Sequence, residues 1–72
     1  MLKIPQLKPR EVEKVLIKLG FEFVRQKGSH KIYIKESVGI TVPRHNKNLK
    51  KGTLHQIIKA SGVSATEFIS LL

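Results

Sequence analysis

The sequence has no cysteine, no aspartate and no tryptophan. Without cysteine, neither disulfides nor a thiolate zinc site can hold the chain together. Such usage fits a reducing compartment. Without aspartate, the acidic side chains are five scattered glutamates. Two-metal nuclease chemistry needs clustered carboxylates to hold its cations, so that class is disfavoured. The longest apolar run is three residues, Val15 to Ile17, far short of the roughly 20 that span a bilayer. The opening "MLKIPQLKPR" has no apolar stretch of signal-peptide length. There is no glycine-rich phosphate loop either, because "GSHK" is too short and joins two expected strands instead of opening a helix. The expectation is one small soluble, cytoplasmic domain over residues 1–72, with a modest core and no membrane contact.

What the chain has is positive charge. Fourteen Lys and Arg against five Glu give a net +9. The window from Arg25 to Lys51 holds eight basic residues (Arg25, Lys27, Lys31, Lys35, Arg44, Lys47, Lys50 and Lys51) and one acid, Glu36, and so carries +7 of that total. A field gathered into one segment points to a polyanion surface, with nucleic acid the usual candidate. A basic face that only kept the chain soluble would not need this clustering.

The pattern of elements is readable. In "KPREVEKVLIKLG", Val12, Val15, Leu16 and Leu19 form one apolar helical stripe behind Pro9, and Gly20 ends it. "FEFVRQ" and "HKIYIK" read as strands joined by a tight "KGS" turn, with Gly28 free to take positive φ. "ESVG" turns again into a short third strand, "ITVP". Asn48 is the expected cap of a second helix built on Leu54, Ile57 and Ile58, which Gly62 closes. "SATE" then opens a short last helix as a capping box. The expected fold is α+β: α-β-β-β-α, a three-stranded antiparallel sheet with helices on one face and a short extra C-terminal helix. That is the element order of the double-stranded-RNA-binding domain.

His30 sits among Arg25, Lys27, Lys31 and Lys35, with no carboxylate between Arg25 and Lys35. A Ser-His-acid triad lacks its acid there. RNA supplies its own nucleophile, the 2′-hydroxyl, and needs only a base, an acid and cations. Histidine's imidazole, with an ordinary pKa near ~6.5, serves as either base or acid at neutral pH, and Lys and Arg stabilise phosphorane charge. The competing reading is bland: His30 is an incidental surface residue of a basic strand, or, sharing parity with Ile32 and Ile34, it turns toward the helices and hydrogen-bonds there. His45, in a basic loop, has a phosphate-contact reading, and His55 a structural one. Three dispersed histidines are not a metal-ligand spacing, so no metal or other cofactor is expected. Tyr33 has two readings of equal weight: stacking on a base, or covering the open sheet face.

The stretch "GFEFVRQKGSHKIYIK" followed by "ITVPRHNKNLKKGTLHQIIKASGVSATEFISLL" resembles the HicA (YcfA-like) toxins of prokaryotic toxin–antitoxin systems. The G-S-H turn, the T-V-P strand end and L-K-K-G-T-L carry the likeness. The resemblance implies the double-stranded-RNA-binding-domain fold and an mRNA interferase activity. It makes His30 the catalytic residue, with Gly28 and Ser29 in the active-site turn. It implies an mRNA substrate and a HicB-type antitoxin that covers the site. Arg25, Lys27, Lys31, Tyr33, Lys35, Arg44, Lys47, Lys50 and Lys51 are the candidate RNA contacts. A non-catalytic RNA- or DNA-binding module, and a domain docking an acidic protein, remain the alternatives.

Overall fold

The computed structural model describes residues 4–45 and 47–72. The order is α1 (Pro9–Lys18), β1 (Glu22–Lys27), β2 (His30–Lys35), β3 (Val38–Pro43), α2 (Lys51–Ser61) and α3 (Ala65–Ser70). The strands form one antiparallel sheet in the order β1-β2-β3, with helices packed on one face. This is the expected α+β architecture, an open sheet that fits the double-stranded-RNA-binding-domain fold. No described helix is long and apolar enough to cross a membrane.

Each element follows from its side chains. The stripe of α1 is buried through Val12, Val15 and Leu16, and Pro9 sits at its start, where a missing N–H costs nothing. The Glu11 carboxylate accepts the Lys8 backbone N–H at 3.0 Å, satisfying a donor at the helix start. Gly20, at φ 101°, turns the chain so that Phe21 enters the core before β1 begins. From β3, Ile40 and Val42 face the helices; from α2, Leu54, Ile57 and Ile58 meet them. The Ser64 hydroxyl accepts the Glu67 N–H at 3.1 Å and opens α3, whose Phe68 is fully buried.

Two local expectations are corrected. The second hairpin turns on two residues, Glu36 and Ser37, with Glu36 at φ 56°, so β3 starts at Val38 and includes Gly39. Asn48 does not cap α2. The cap position is Lys50, and the Asn48 amide donates to Gln6 Oε1 at 2.9 Å instead. Beside it, the Leu49 N–H donates to Leu7 O at 2.8 Å and both leucines are buried, so the loop before α2 is pinned to the segment before α1.

Candidate functional site

The first hairpin closes on Gly28 and Ser29 between the paired residues Lys27 and His30. Gly28 supplies the positive φ, 59°, that a two-residue hairpin requires. A Cβ placed there would meet nothing within 4 Å. The glycine is therefore needed for backbone shape, and the space above the turn is open. Only two residues separate the strands, so His30 is held at the first position of β2, at the sheet rim.

Alternation then assigns the faces. Tyr33 pairs with Ile40 and Lys31 with Val42, and these residues turn toward the helices. His30, Ile32 and Ile34 take the opposite, uncovered face, with Arg25 across from Ile32 and Lys27 across from His30. The helix-facing orientation is corrected here: the imidazole does not turn toward the helices, and it is exposed at the rim. A shallow groove of about 550 Å³ runs beside it, lined by Lys27, Gly28, Ser29, His30, Ile32 and Thr41. On this face Glu22 lies opposite Ile34, four residues along β2 from His30, on the order of 13 Å at ~3.3 Å per residue. Among the described residues, then, an imidazole with an adjacent lysine and no neighbouring carboxylate borders an open groove.

The other candidate contacts are dispersed. Arg25 is exposed on the open face, beyond the groove's lining. Lys31 is on the helix face, ion-paired with Glu13 at 3.1 Å. Lys35 donates from Nζ to Leu19 O at 2.7 Å and lies 6.0 Å from the centre of the Phe21 ring. Lys47, Lys50 and Lys51 are exposed on the loop and the start of α2, outside the groove lining. Tyr33 is corrected outright. It is only 4% exposed, its hydroxyl donates to Glu13 Oε1 at 2.5 Å, and Phe23 packs edge-on to its ring with centroids 5.7 Å apart. It neither stacks on a base nor covers the open face, because its partner Ile40 belongs to the core. The deciding signal was in β3, where Ile40 and Val42 alternate with Gly39 and Thr41.

The Tyr33–Glu13 contact ties α1 to β2 and has a measurable signature. Burial, then the hydrogen bond to Glu13 and its negative charge, hold the Tyr33 phenol well above the ordinary tyrosine value. The folded state keeps a proton that the unfolded state releases near pH ~10, so this contribution is complete below that pH and lost as pH rises beyond it. Tyr33→Phe should lower the melting temperature at neutral pH and flatten the alkaline decline. An alkaline curve identical to wild type, measured by circular dichroism, would rule out a held phenol.

At the rim, the pairing continues one step past the strands. The Arg44 N–H donates to Ser29 O at 2.6 Å. Arg44 and His45, from the loop after β3, thereby border a depression of about 450 Å³ with Gly28 and Ser29. The same two side chains line a recess of about 350 Å³ on the helix side, with Lys8, Arg10, Glu13 and Lys31. Lys8 and Arg10 escaped the sequence reading, although both flank the helix-starting Pro9.

Residues 9–63 match the family described as the HicA toxin of bacterial toxin–antitoxin systems. The chain belongs to the HicA toxin family. The matched span runs from the first residue of α1 to just past the glycine that ends α2, and so includes the whole sheet, the Gly28–Ser29 turn and the Arg44–His45 loop. Only α3 and the segment before α1 lie outside it. No curated protein matches the chain. A HicA toxin belongs to a two-part system, so an antitoxin partner follows from the family.

Proposed function

We propose that this HicA-family toxin is a ribonuclease that cuts mRNA at His30 without a metal ion. The observation that carries the reading is the exposed His30 imidazole on an open groove, with Lys27 across the hairpin and no carboxylate beside it. In this mechanism the 2′-hydroxyl attacks the adjacent phosphorus; His30 makes one of the two proton transfers, taking the 2′-hydroxyl proton or protonating the departing 5′-oxygen, and solvent water makes the other. Lys27 and the open space above Gly28 face the phosphate, where a cation stabilises the added negative charge. The P–O5′ bond breaks as the P–O2′ bond forms, leaving a 2′,3′-cyclic phosphate on one fragment and a 5′-hydroxyl on the other.

A HicB-type antitoxin that covers this face fits the same surface. Ile34 is 39% exposed and Ile32 half-buried on the uncovered side of the sheet, next to Arg25, Lys27 and His30. An acidic, partly apolar partner surface would shield both the isoleucines and the imidazole.

The test is cleavage of RNA by the purified protein in excess EDTA, with the product ends determined. The expected result is undiminished cleavage and cyclic-phosphate ends. Loss of cleavage in EDTA, or 5′-phosphate products, would defeat the mechanism. RNA binding with no cleavage either with or without EDTA would favour the non-catalytic binding module.

A further inference from the structure

We propose that Arg44 and His45 form a second phosphate subsite, on the far side of the Gly28–Ser29 turn from His30. The RNA strand would then cross the sheet rim with successive phosphates on either side of it. The proposal rests on reading the ligand as RNA and extends that reading to a path.

The concavities themselves trace the path. The groove beside His30 shares Gly28 and Ser29 with the rim depression, and the rim depression shares Arg44 and His45 with the helix-side recess. The three adjoin one another in succession around the edge of the sheet. Strand geometry explains why the path is two-sided. His30 pairs with Pro43 and faces the open side. The next residues outward, Ser29 and Arg44, are bridged by a 2.6 Å hydrogen bond and alternate to the other side. Neighbouring positions across such a ladder lie on the order of 5 Å apart, so the two sides of the rim fall within one strand's reach.

The charges in this series of concavities suit a polyanion. Arg44, Lys8, Arg10 and Lys31 line its helix-side end, where Glu13, the one acid lining it, is occupied by Lys31 and the Tyr33 hydroxyl. His45 brings a defined donor. Its Nδ1 accepts the Lys47 backbone N–H at 3.2 Å, which places the proton of the neutral ring on Nε2. The ring then offers an N–H to a phosphate oxygen without carrying charge.

Cation and neutral donor predict different salt behaviour. Binding of a single-stranded oligoribonucleotide is measured across a salt series in the His30→Ala protein, which should bind without cutting. Arg44→Gln should weaken binding about ten-fold and reduce the slope of log K against log salt by about 0.7, one phosphate contact on a single strand. His45→Ala should weaken binding several-fold with the slope unchanged. His45→Asn keeps an acceptor for the Lys47 N–H but no donor at the reach of Nε2, and should bind as weakly as the alanine variant. His45→Gln restores a donor there and should recover most of the affinity. Lys59→Gln, on the last turn of α2, is the control. If Arg44→Gln and His45→Ala bind like that control, or if His45→Asn binds like the parent, the subsite is overturned. The ribonuclease reading fails separately: wild type that binds RNA and never cuts it sinks that reading, while the Arg44 and His45 losses would still establish the subsite.

Discussion

His30→Ala should abolish RNA cleavage, with kcat falling by about 10³-fold, within the ~10²–10⁴ that a positioned acid or base contributes. Affinity for RNA should change by no more than about two-fold, because the neighbouring cations, led by Lys27 across the hairpin, remain in place. Stability should be unaffected. The side chain is exposed and, among the described residues, makes no hydrogen bond and fills no core position. The separation of these three effects gives the test its force. A histidine that merely packed would lose stability when truncated, and one that merely bound phosphate would lose affinity. Only a group acting on the reacting atoms loses turnover alone. In cells, the wild-type protein should arrest growth unless its antitoxin is co-expressed, and the His30→Ala protein should be tolerated at equal abundance. Equal cleavage by the two purified proteins would remove His30 from the mechanism.

The side of the sheet that His30 occupies was the hardest feature to read from sequence. Period-two alternation in "HKIYIK" separates His30, Ile32 and Ile34 from Lys31, Tyr33 and Lys35, but it does not say which set is inside. Two isoleucines against one tyrosine and two lysines favour the wrong answer. The core takes Tyr33 because it pairs with the buried Ile40 and its hydroxyl finds Glu13, while the stems of Lys31 and Lys35 let their ammonium groups reach Glu13 and the Leu19 carbonyl. The third strand held the missing information. Ile40 and Val42 are apolar at alternate positions, and antiparallel pairing places Tyr33 on their side. Misjudging the second turn as four residues instead of two shifts that register by two, which moves the partners but preserves the faces.

Local signals carried by a glycine or a capping serine were legible, whereas the Glu36–Ser37 turn, which has no glycine, was not. Gly20, Gly28 and Gly62 all take positive φ where a helix end or hairpin was expected, and Ser64 caps α3 as its spacing to Glu67 requires. Features that depend on distant pairing were not. Asn48 looked like a cap, but Leu49 is held by Leu7, which delays the helix to Lys51 and leaves Asn48 beside Gln6. His45 stands sixteen residues from Ser29 in sequence. Only the β2–β3 register, continued through the Arg44–Ser29 hydrogen bond, brings that loop to the turn. The candidate site therefore divides in two: a hairpin half that a short motif announces, and a loop half that only the folded sheet assembles.

Phe68→Ala should cost about 3–5 kcal/mol, as removal of a fully buried aromatic ring does when the cavity cannot close. Phe68 is 0% exposed and is the one fully buried residue of α3, a helix of six residues that cannot persist without tertiary contacts. At ~0.05–0.15 kcal/mol per residue, a chain of this length has roughly 4–10 kcal/mol in total. The variant should therefore be partly unfolded at 37 °C, and its melting transition should shift down by well over 10 °C. It should also lose toxicity, although α3 lies outside the 9–63 match and far in sequence from His30. The physical link is the core. Phe68 packs in one cluster with Leu16 of α1, Val42 of β3 and Ile58 of α2, and so helps fix the helices against the face of the sheet opposite His30. Two readouts separate this loss from the catalytic one. Phe68→Ala should recover cleavage on cooling or in a stabilising osmolyte, because the chemistry is intact whenever the chain is folded. His30→Ala should not recover under either condition. A Phe68→Ala protein with a wild-type melting temperature would show that α3 contributes nothing to the core, and that the sheet and the first two helices stand by themselves.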